Sequence, residues 1–166
     1  MDDRATVERQ LGRAPRAFRR VAVRCAYGRP AVTEQEPYGS DGEPFPTTYY
    51  LTCPYLVAAI ARIEAAGGVE RWSREVASDE ALAAAVERAT REQREVRREL
   101  AAGRAGPDGG AALELGIGGS RSPGSLKCLH AHVAFALARP GYVLGERILA
   151  EVDPLWPADG CCTREH

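Results

Sequence analysis

The chain has 166 residues, five cysteines and a formal net charge of −1. This length suits a single domain, residues 1–166, which can bury roughly two-thirds of its unfolded surface without cross-links. The near-zero net charge argues against a general attraction to nucleic acid or to an acidic membrane. The charged N-terminus and the absence of a long apolar run predict a cytoplasmic protein without a signal peptide or a membrane-spanning helix. An odd number of cysteines predicts reduced thiols rather than a disulfide framework.

The first third of the chain predicts a small antiparallel sheet. Apolar and polar side chains alternate over residues 18–27, which is the period of a half-buried strand. A turn at residues 28–30 follows, and residues 31–33 are predicted to return as a partner strand. The apolar spacing over residues 5–12 indicates a short helix or a loose arm. Residues 34–46 are rich in proline, glycine and acidic side chains, and they predict a surface loop.

The most informative stretch, residues 47–68, passes from a predicted strand into a predicted helix. Threonine and tyrosine dominate its first part, and Cys53 stands directly before Pro54, which suits the first position of a helix. Cys53 is therefore predicted to cap the helix, where backbone N–H groups and the helix dipole favour a thiolate. Because thiolates bind metal ions and attack electrophiles, Cys53 is the first candidate for chemistry.

The middle of the chain predicts helices followed by a flexible loop. Residues 69–76 are expected to add a helical turn or two, and Ser78 is a suitable N-cap for a longer helix. Arginine and glutamate alternate along residues 79–100, which predicts a solvent-facing helix or, alternatively, a surface that binds a protein partner. Residues 101–125 are rich in glycine and proline, and they predict a flexible loop.

The end of this loop also offers groups that bind anions. Backbone N–H groups, hydroxyls and basic side chains stand just before a predicted helix, an arrangement that can hold a phosphate. The segment matches neither a Walker motif nor the dinucleotide-binding fingerprint. A simple flexible loop is therefore the alternative to a site for a small anionic or phosphorylated ligand. The candidate residues are Gly118, Gly119, Ser120, Arg121 and Lys127.

Residues 126–139 predict a further helix that begins close to Cys128. Cys128 and His132 are four residues apart, so a helix places them on one face where they can share a metal ion. A last helix is predicted over residues 143–152, followed by a cysteine-containing tail, residues 157–166. These elements together predict an α+β fold, in which a small antiparallel sheet from the N-terminal third is packed by about four helices.

The cysteines and histidines lead to two chemical hypotheses, with a non-catalytic protein-interaction role as the third. The leading hypothesis is an iron–sulfur cluster or a zinc ion held by Cys53, Cys128 and one cysteine of the tail. Its candidate ligands are Cys53, Cys128, Cys161, Cys162, His130 and His132. The alternative is a metal-free thiol enzyme with Cys53 as nucleophile and His130 as base. The spacing of the cysteines leaves the metal, the reaction and the question of catalysis open.

Several short motifs, taken in order, resemble those of a known family. They are Arg24-Cys25 with Gly28 and Pro30, the segments 44–47, 49–54 and 64–68, and Gly118-Gly119 leading to the segment 127–131. In this order they resemble the bacterial, largely actinobacterial, domain-of-unknown-function family number five hundred and one. The resemblance covers nearly the whole chain and implies a small protein without implying a reaction. The resemblance implies that His130 is a family residue. The family pattern has a second histidine near position 135, where this chain has Phe135.

Overall fold

The computed structural model describes residues 2–122 and 124–163. These residues form a three-stranded antiparallel sheet and six α-helices, which confirms the predicted α+β class and exceeds the four helices expected. The elements are α1 (Asp3–Leu11), β1 (Phe18–Arg24), β2 (Pro30–Gln35), β3 (Tyr49–Leu51), α2 (Pro54–Ala65), α3 (Gly68–Ser78), α4 (Glu80–Ala101), α5 (Leu129–Ala138) and α6 (Val143–Leu149). Two short 3-10 turns, Ala111–Glu114 and Ile117–Gly119, lie between α4 and α5.

Strand β2 is the middle strand of the sheet and is buried along its whole length. It pairs with β1 on one side and β3 on the other, so that Val32 stands opposite both Val23 and Leu51. Even its acidic residue, Glu34, is buried, and its carboxylate accepts hydrogen bonds from Arg19 and Arg20 at 3.1 and 2.6 Å. The sheet is therefore a fixed platform, and its strand ends can hold side chains in constant positions.

Helix α5 lies at the centre of the molecule and packs against β3, α2 and α6. Its residues 131–136 are all buried, because the helix is apolar on every side, as expected of a core helix. The ring of Phe135 meets Tyr49 and Tyr142 edge-on, with centroid separations of 5.7 and 5.4 Å. In α6, Gly145 lies so close to α5 that a Cβ there would come within 2.4 Å of the His132 carbonyl oxygen. This packing fixes the N-terminal end of α5.

The N-cap of α4 is Asp79, one residue later than the predicted cap Ser78. The carboxylate of Asp79 accepts hydrogen bonds from the N–H groups of Ala81 and Leu82 at 3.0 and 3.1 Å, whereas the Ser78 hydroxyl donates to the Glu75 carbonyl. Ser78 instead ends α3, which is longer than the turn or two predicted. A negatively charged N-cap also interacts favourably with the positive end of the helix dipole, whereas a serine carries no charge.

The loop between α4 and α5 is held by specific contacts in its described part. The Tyr38 hydroxyl lies 2.6 Å from the Ala105 carbonyl oxygen and 2.7 Å from the Asp108 carboxylate, between which its one proton is shared. Asp108 also accepts from the N–H groups of Gly110 and Ala112 at 3.0 and 2.8 Å. Pro123 of the loop and residues 164–166 of the predicted tail lie outside the described residues. No helix within the described ranges is both long and apolar enough to cross a membrane.

Candidate functional site

Cys53 is the N-cap residue of α2, with extended backbone angles before Pro54, as the sequence predicts. Its side chain is 3% exposed. Burial raises the pKa of the thiol to about 12, and the neighbouring Cys162 adds to the rise, while the N–H groups of Leu56 and Tyr55 act in the opposite direction. Without a cation beside it, Cys53 is therefore a neutral thiol and a poor nucleophile.

Two of the predicted thiols meet in the folded chain. The sulfur atoms of Cys53 and Cys162 are 3.6 Å apart, and all five cysteines are free thiols. A disulfide would bring the two atoms to about 2.05 Å. Two thiolates on one tetrahedral zinc ion, each about 2.3 Å from the metal, stand about 3.8 Å apart. The observed separation is that of two thiols in hydrogen-bond contact, and it is also close to the second geometry.

The tail that carries Cys162 is tied to the start of the chain. The Tyr27 hydroxyl donates to the carbonyl of Pro157, and the amide nitrogen of Gln10 donates to the Thr163 hydroxyl at 3.1 Å. These two contacts join segments more than a hundred residues apart. They hold Cys162 beside the end of the sheet, where Cys53 lies.

Cys25 belongs to the same end of the sheet, although the sequence did not mark it as a ligand. It follows β1 directly, and its N–H group donates to the Arg29 carbonyl at 2.8 Å. The N–H group of Cys53 donates to Ala31 of β2 at 3.3 Å, so the start of β2 lies between the segments that carry Cys25 and Cys53. We name Cys25, Cys53, Cys161 and Cys162 the sheet-end thiols.

Within residues 2–122 and 124–163, no three Cys, His, Asp or Glu side chains are placed to hold one metal ion together. Cys53 and Cys162 meet, but Cys128, the predicted third thiolate, lines a different surface. The iron–sulfur or zinc centre therefore stays a prediction, and Cys53 with Cys162 are the predicted ligands that the structure brings together.

Cys128 borders a groove of about 530 Å³ between α1, β3 and the N-terminal ends of α2 and α5. We name it the α5 groove; its wall includes Gln10, Tyr50, Thr52, Val57, Cys128 and His130. Cys128 is the N-cap residue of α5 and is half-buried. Burial raises the pKa of its thiol, an effect that the N–H group of Ala131 partly offsets. Cys128 and His130 thus share a surface that does not include Cys53.

His130 is held by Glu64, a residue that the sequence did not predict to belong to the site. One carboxylate oxygen of Glu64 lies 3.1 Å from Nδ1 of His130, and the other accepts the N–H group of Leu129 at 2.7 Å. Nε2 of His130 lies 3.1 Å from the Val57 carbonyl oxygen. Both ring nitrogens therefore lie against oxygen atoms of the protein, and neither is directed at a metal ion or a substrate in this arrangement. Glu64 caps α5 from α2, and no local spacing reveals a cap that comes from 65 residues away in the chain.

His132 is turned into the core and is 2% exposed. Its Nδ1 is 2.7 Å from the Tyr142 hydroxyl, and its Nε2 is 3.1 Å from the Leu126 carbonyl oxygen. Burial lowers the pKa of His132 to about 4, so the ring is neutral at neutral pH. In this arrangement both nitrogens are engaged, and His132 supports the start of α5 instead of sharing an ion with Cys128.

The predicted anion cradle folds back on itself. The Ser120 hydroxyl donates to the Ser125 carbonyl at 2.8 Å, while the N–H group of Gly119 donates to Gly116 at 3.0 Å. Gly118 and Gly119 both adopt positive φ angles, of 70° and 77°, which this tight turn requires. The side chains of Arg121 and Lys127 are exposed. Because the N–H group of Gly119 and the Ser120 hydroxyl are used within the loop, anion binding here stays a prediction.

The fold and the side chains define a small α+β protein in which two thiols, Cys53 and Cys162, meet at one end of the sheet and a third, Cys128, borders the α5 groove. A family model described as a protein of unknown function, DUF501, matches residues 21–150, and the chain belongs to this family. The matched range contains Cys25, Cys53 and Cys128, whereas Cys161 and Cys162 follow it. Neither the curated proteins nor the solved structures contain a match to the chain.

Proposed function

We propose that the protein binds a metal ion through the sheet-end thiols, with Cys53 and Cys162 as the first two ligands. The observation that carries this proposal is the 3.6 Å separation of their sulfur atoms. It is close to the separation of about 3.8 Å that two thiolates adopt on one tetrahedral ion. The two sulfurs come from segments 109 residues apart, so local chain geometry does not explain their meeting.

The short separation bears on which metal is bound. Two thiolates so close together suit a single ion, such as zinc, or one iron of a two-iron cluster. In a four-iron cluster each iron takes one protein thiolate, and the cysteines then stand farther apart. We therefore favour zinc, with a two-iron cluster as the alternative.

Cys25 and Cys161 are the thiols that can complete the ligand shell. The sulfur of Cys25 accepts the N–H group of Tyr27, and the sulfur of Cys161 accepts that of Thr163, each at 3.4 Å. Hydrogen bonds of this kind stabilise a thiolate and orient it toward a cation. Both sulfurs must still move toward Cys53 and Cys162 to reach a shared ion, since the described residues hold no group of three metal ligands.

A bound cation would reverse the electrostatics of Cys53. The raised pKa of this thiol comes first from burial, and a metal ion offsets that burial by stabilising the thiolate. The ion would also join the end of β1, the start of α2 and the tail. Its role is then structural, because it holds the tail against the sheet where hydrogen bonds from Gln10 and Tyr27 already position it.

The experiment is metal analysis of protein purified anaerobically without chelators, together with an assay for acid-labile sulfide. We expect one zinc ion per chain, or iron with sulfide if the alternative holds. Cys53→Ser and Cys162→Ser should each lose most of the metal, and Cys25→Ser should bind it more weakly. Cys128→Ser is the matched control and should keep its metal. Metal-free wild-type protein, or an equal loss in the Cys128 variant, would contradict the proposal.

A further inference from the structure

We infer that the α5 groove binds a small neutral molecule with an apolar body and a hydroxyl or amino group that donates a hydrogen bond. This inference concerns a surface separate from the thiol pair, since Cys53 does not line the groove. It therefore does not depend on metal binding.

The size and chemistry of the groove suit such a molecule. Its volume of about 530 Å³ falls within the range of about 300–1,000 Å³ that is usual for small-molecule sites. Most of its wall is apolar or aromatic, including Leu11, Tyr50, Leu51, Pro54, Val57 and Ala58. A pocket of this kind binds the apolar part of a ligand, and a few polar groups fix its orientation.

Two polar atoms of the groove residues supply that second feature. The amide nitrogen of Gln10 donates to the Pro30 carbonyl at 2.8 Å and to the Thr163 hydroxyl at 3.1 Å, which fixes the orientation of the amide. Its oxygen, Oε1, is buried and meets no hydrogen-bond partner in the part of the chain that the structure describes. Thr52 is 1% exposed, and its Oγ1 is likewise buried without a hydrogen-bond partner within residues 2–122 and 124–163.

Unpartnered buried acceptors are unfavourable, and nearly all buried polar groups in proteins are paired. A ligand O–H or N–H group can pair with the amide oxygen of Gln10, which accepts hydrogen bonds but cannot donate them. The Thr52 hydroxyl can donate or accept, so it can bind the same polar group. The amide oxygen of Gln10 therefore calls for a donor on the ligand, and the Thr52 hydroxyl is compatible with one.

Charge in and around the groove favours a neutral molecule over an anion. The N-terminus of α5 already has a carboxylate beside it, because Glu64 accepts the Leu129 N–H group and faces His130. The N-terminus of α2 offers no backbone donor at its first position, because Pro54 has no N–H group. An anion at this end of the groove would be repelled by the Glu64 carboxylate, which already interacts with the positive end of the helix dipole.

The test uses matched probes that differ only in their donor group. Phenol and aniline are compared with anisole and N,N-dimethylaniline, which lack the donor, and with benzoate, which is charged. Binding is followed through backbone amide shifts in NMR spectra, on the wild-type protein and again after metal removal. We expect phenol or aniline to shift residues 49–58 and 128–131 and to bind about tenfold more tightly than its methylated counterpart. Chelation should leave this result unchanged.

Variants separate the groove from other surfaces. Thr52→Val keeps the shape of the side chain and should bring phenol or aniline close to the affinity of its methylated counterpart. Thr90→Val, a similar change on α4, should leave the difference intact. Ala58→Phe fills the groove from an exposed helical position and should abolish binding. The inference is overturned if none of the probes binds, if donors and methylated probes bind equally, if benzoate binds most tightly, or if the shifts map elsewhere.

Discussion

The buried guanidinium of Arg97 offers a direct test of how α4 is attached to the rest of the fold. Its side chain is fully buried and donates to the Ala112 carbonyl at 2.8 Å, to the Thr48 hydroxyl at 3.1 Å and to the Phe45 carbonyl at 2.7 Å. Burial lowers its pKa to about 10, so the group remains charged at neutral pH. We predict that Arg97→Met destabilises the protein by about 3 kcal/mol.

This magnitude follows from opposing contributions. Three acceptors lose their donors, and each of the two buried ones, the Ala112 carbonyl and the Thr48 hydroxyl, costs about 1–3 kcal/mol when it is left unpaired. The methionine also removes a buried charge, and the desolvation penalty that it relieves returns part of this loss. A net loss of about 3 kcal/mol is large beside a total stability of about 5–15 kcal/mol for a domain.

The assay is equilibrium urea denaturation followed by circular dichroism. The control is Arg98→Met, because Arg98 is the next residue on α4 and makes an exposed ion pair with Glu114. Exposed pairs contribute about 0–1 kcal/mol, so this variant should unfold close to the wild-type midpoint. Equal destabilisation by the two substitutions would refute the view that the buried hydrogen bonds of Arg97 join α4 to these loops.

Three further predictions follow from the site. As the pH falls from about 6.5 to about 4, the wild-type protein should lose about 3 kcal/mol more stability than His132→Gln in urea denaturation. The reason is that histidine in the unfolded chain is protonated in this pH range, whereas the buried His132, with its pKa of about 4, stays neutral in the folded protein. Parallel pH profiles of the two proteins would contradict this. Glu64→Gln removes the charged cap of α5 and should cost about 1–2 kcal/mol in the same assay, whereas the exposed Glu70→Gln should cost little. In metal-free protein at neutral pH, a thiol reagent should label the exposed Cys162 well before the buried Cys53, and mass spectrometry measures the two rates. Equal labelling rates would show that Cys53 is not buried.

Local patterns predicted most of the secondary structure. The alternation over residues 18–27 corresponds to β1, and Pro54 stands at the first position of α2 as expected. Helix α5 begins at Leu129, close to the predicted start, and α6 begins at Val143 but ends before the predicted boundary at Val152. These successes rest on signals that a few neighbouring residues carry, such as a fixed φ angle or a two-residue period.

The polar residues on the inner face of α4 do not follow the local sequence pattern. The glutamine at position 93 looks like an interruption of an apolar stripe, yet Gln93 is buried and donates to the Leu115 carbonyl at 3.2 Å. Arg97 fills a similar role. Whether a polar side chain on a helix faces solvent or a buried carbonyl depends on where a distant loop crosses the helix, and helical spacing does not contain that information.

The candidate site shows the same limit for the cysteines. Cys53 and Cys128 both precede helices, so the sequence favoured a shared centre, but Cys128 opens onto the α5 groove and Cys53 faces Cys162. Cys25 has the pattern of a buried apolar residue on a strand, and its place beside the tail becomes visible only when Tyr27 is seen to bind Pro157. Pairing between segments at opposite ends of a chain is a property of the topology, which one sequence does not state.

X-ray absorption at the metal edge of the anaerobically purified protein tests the central claim most directly, because it counts the sulfur neighbours of the bound ion. We predict a shell dominated by sulfur at about 2.3 Å, unchanged in Cys128→Ser and reduced in Cys162→Ser. A shell made mainly of nitrogen and oxygen, or one that changes only when Cys128 is replaced, would contradict it.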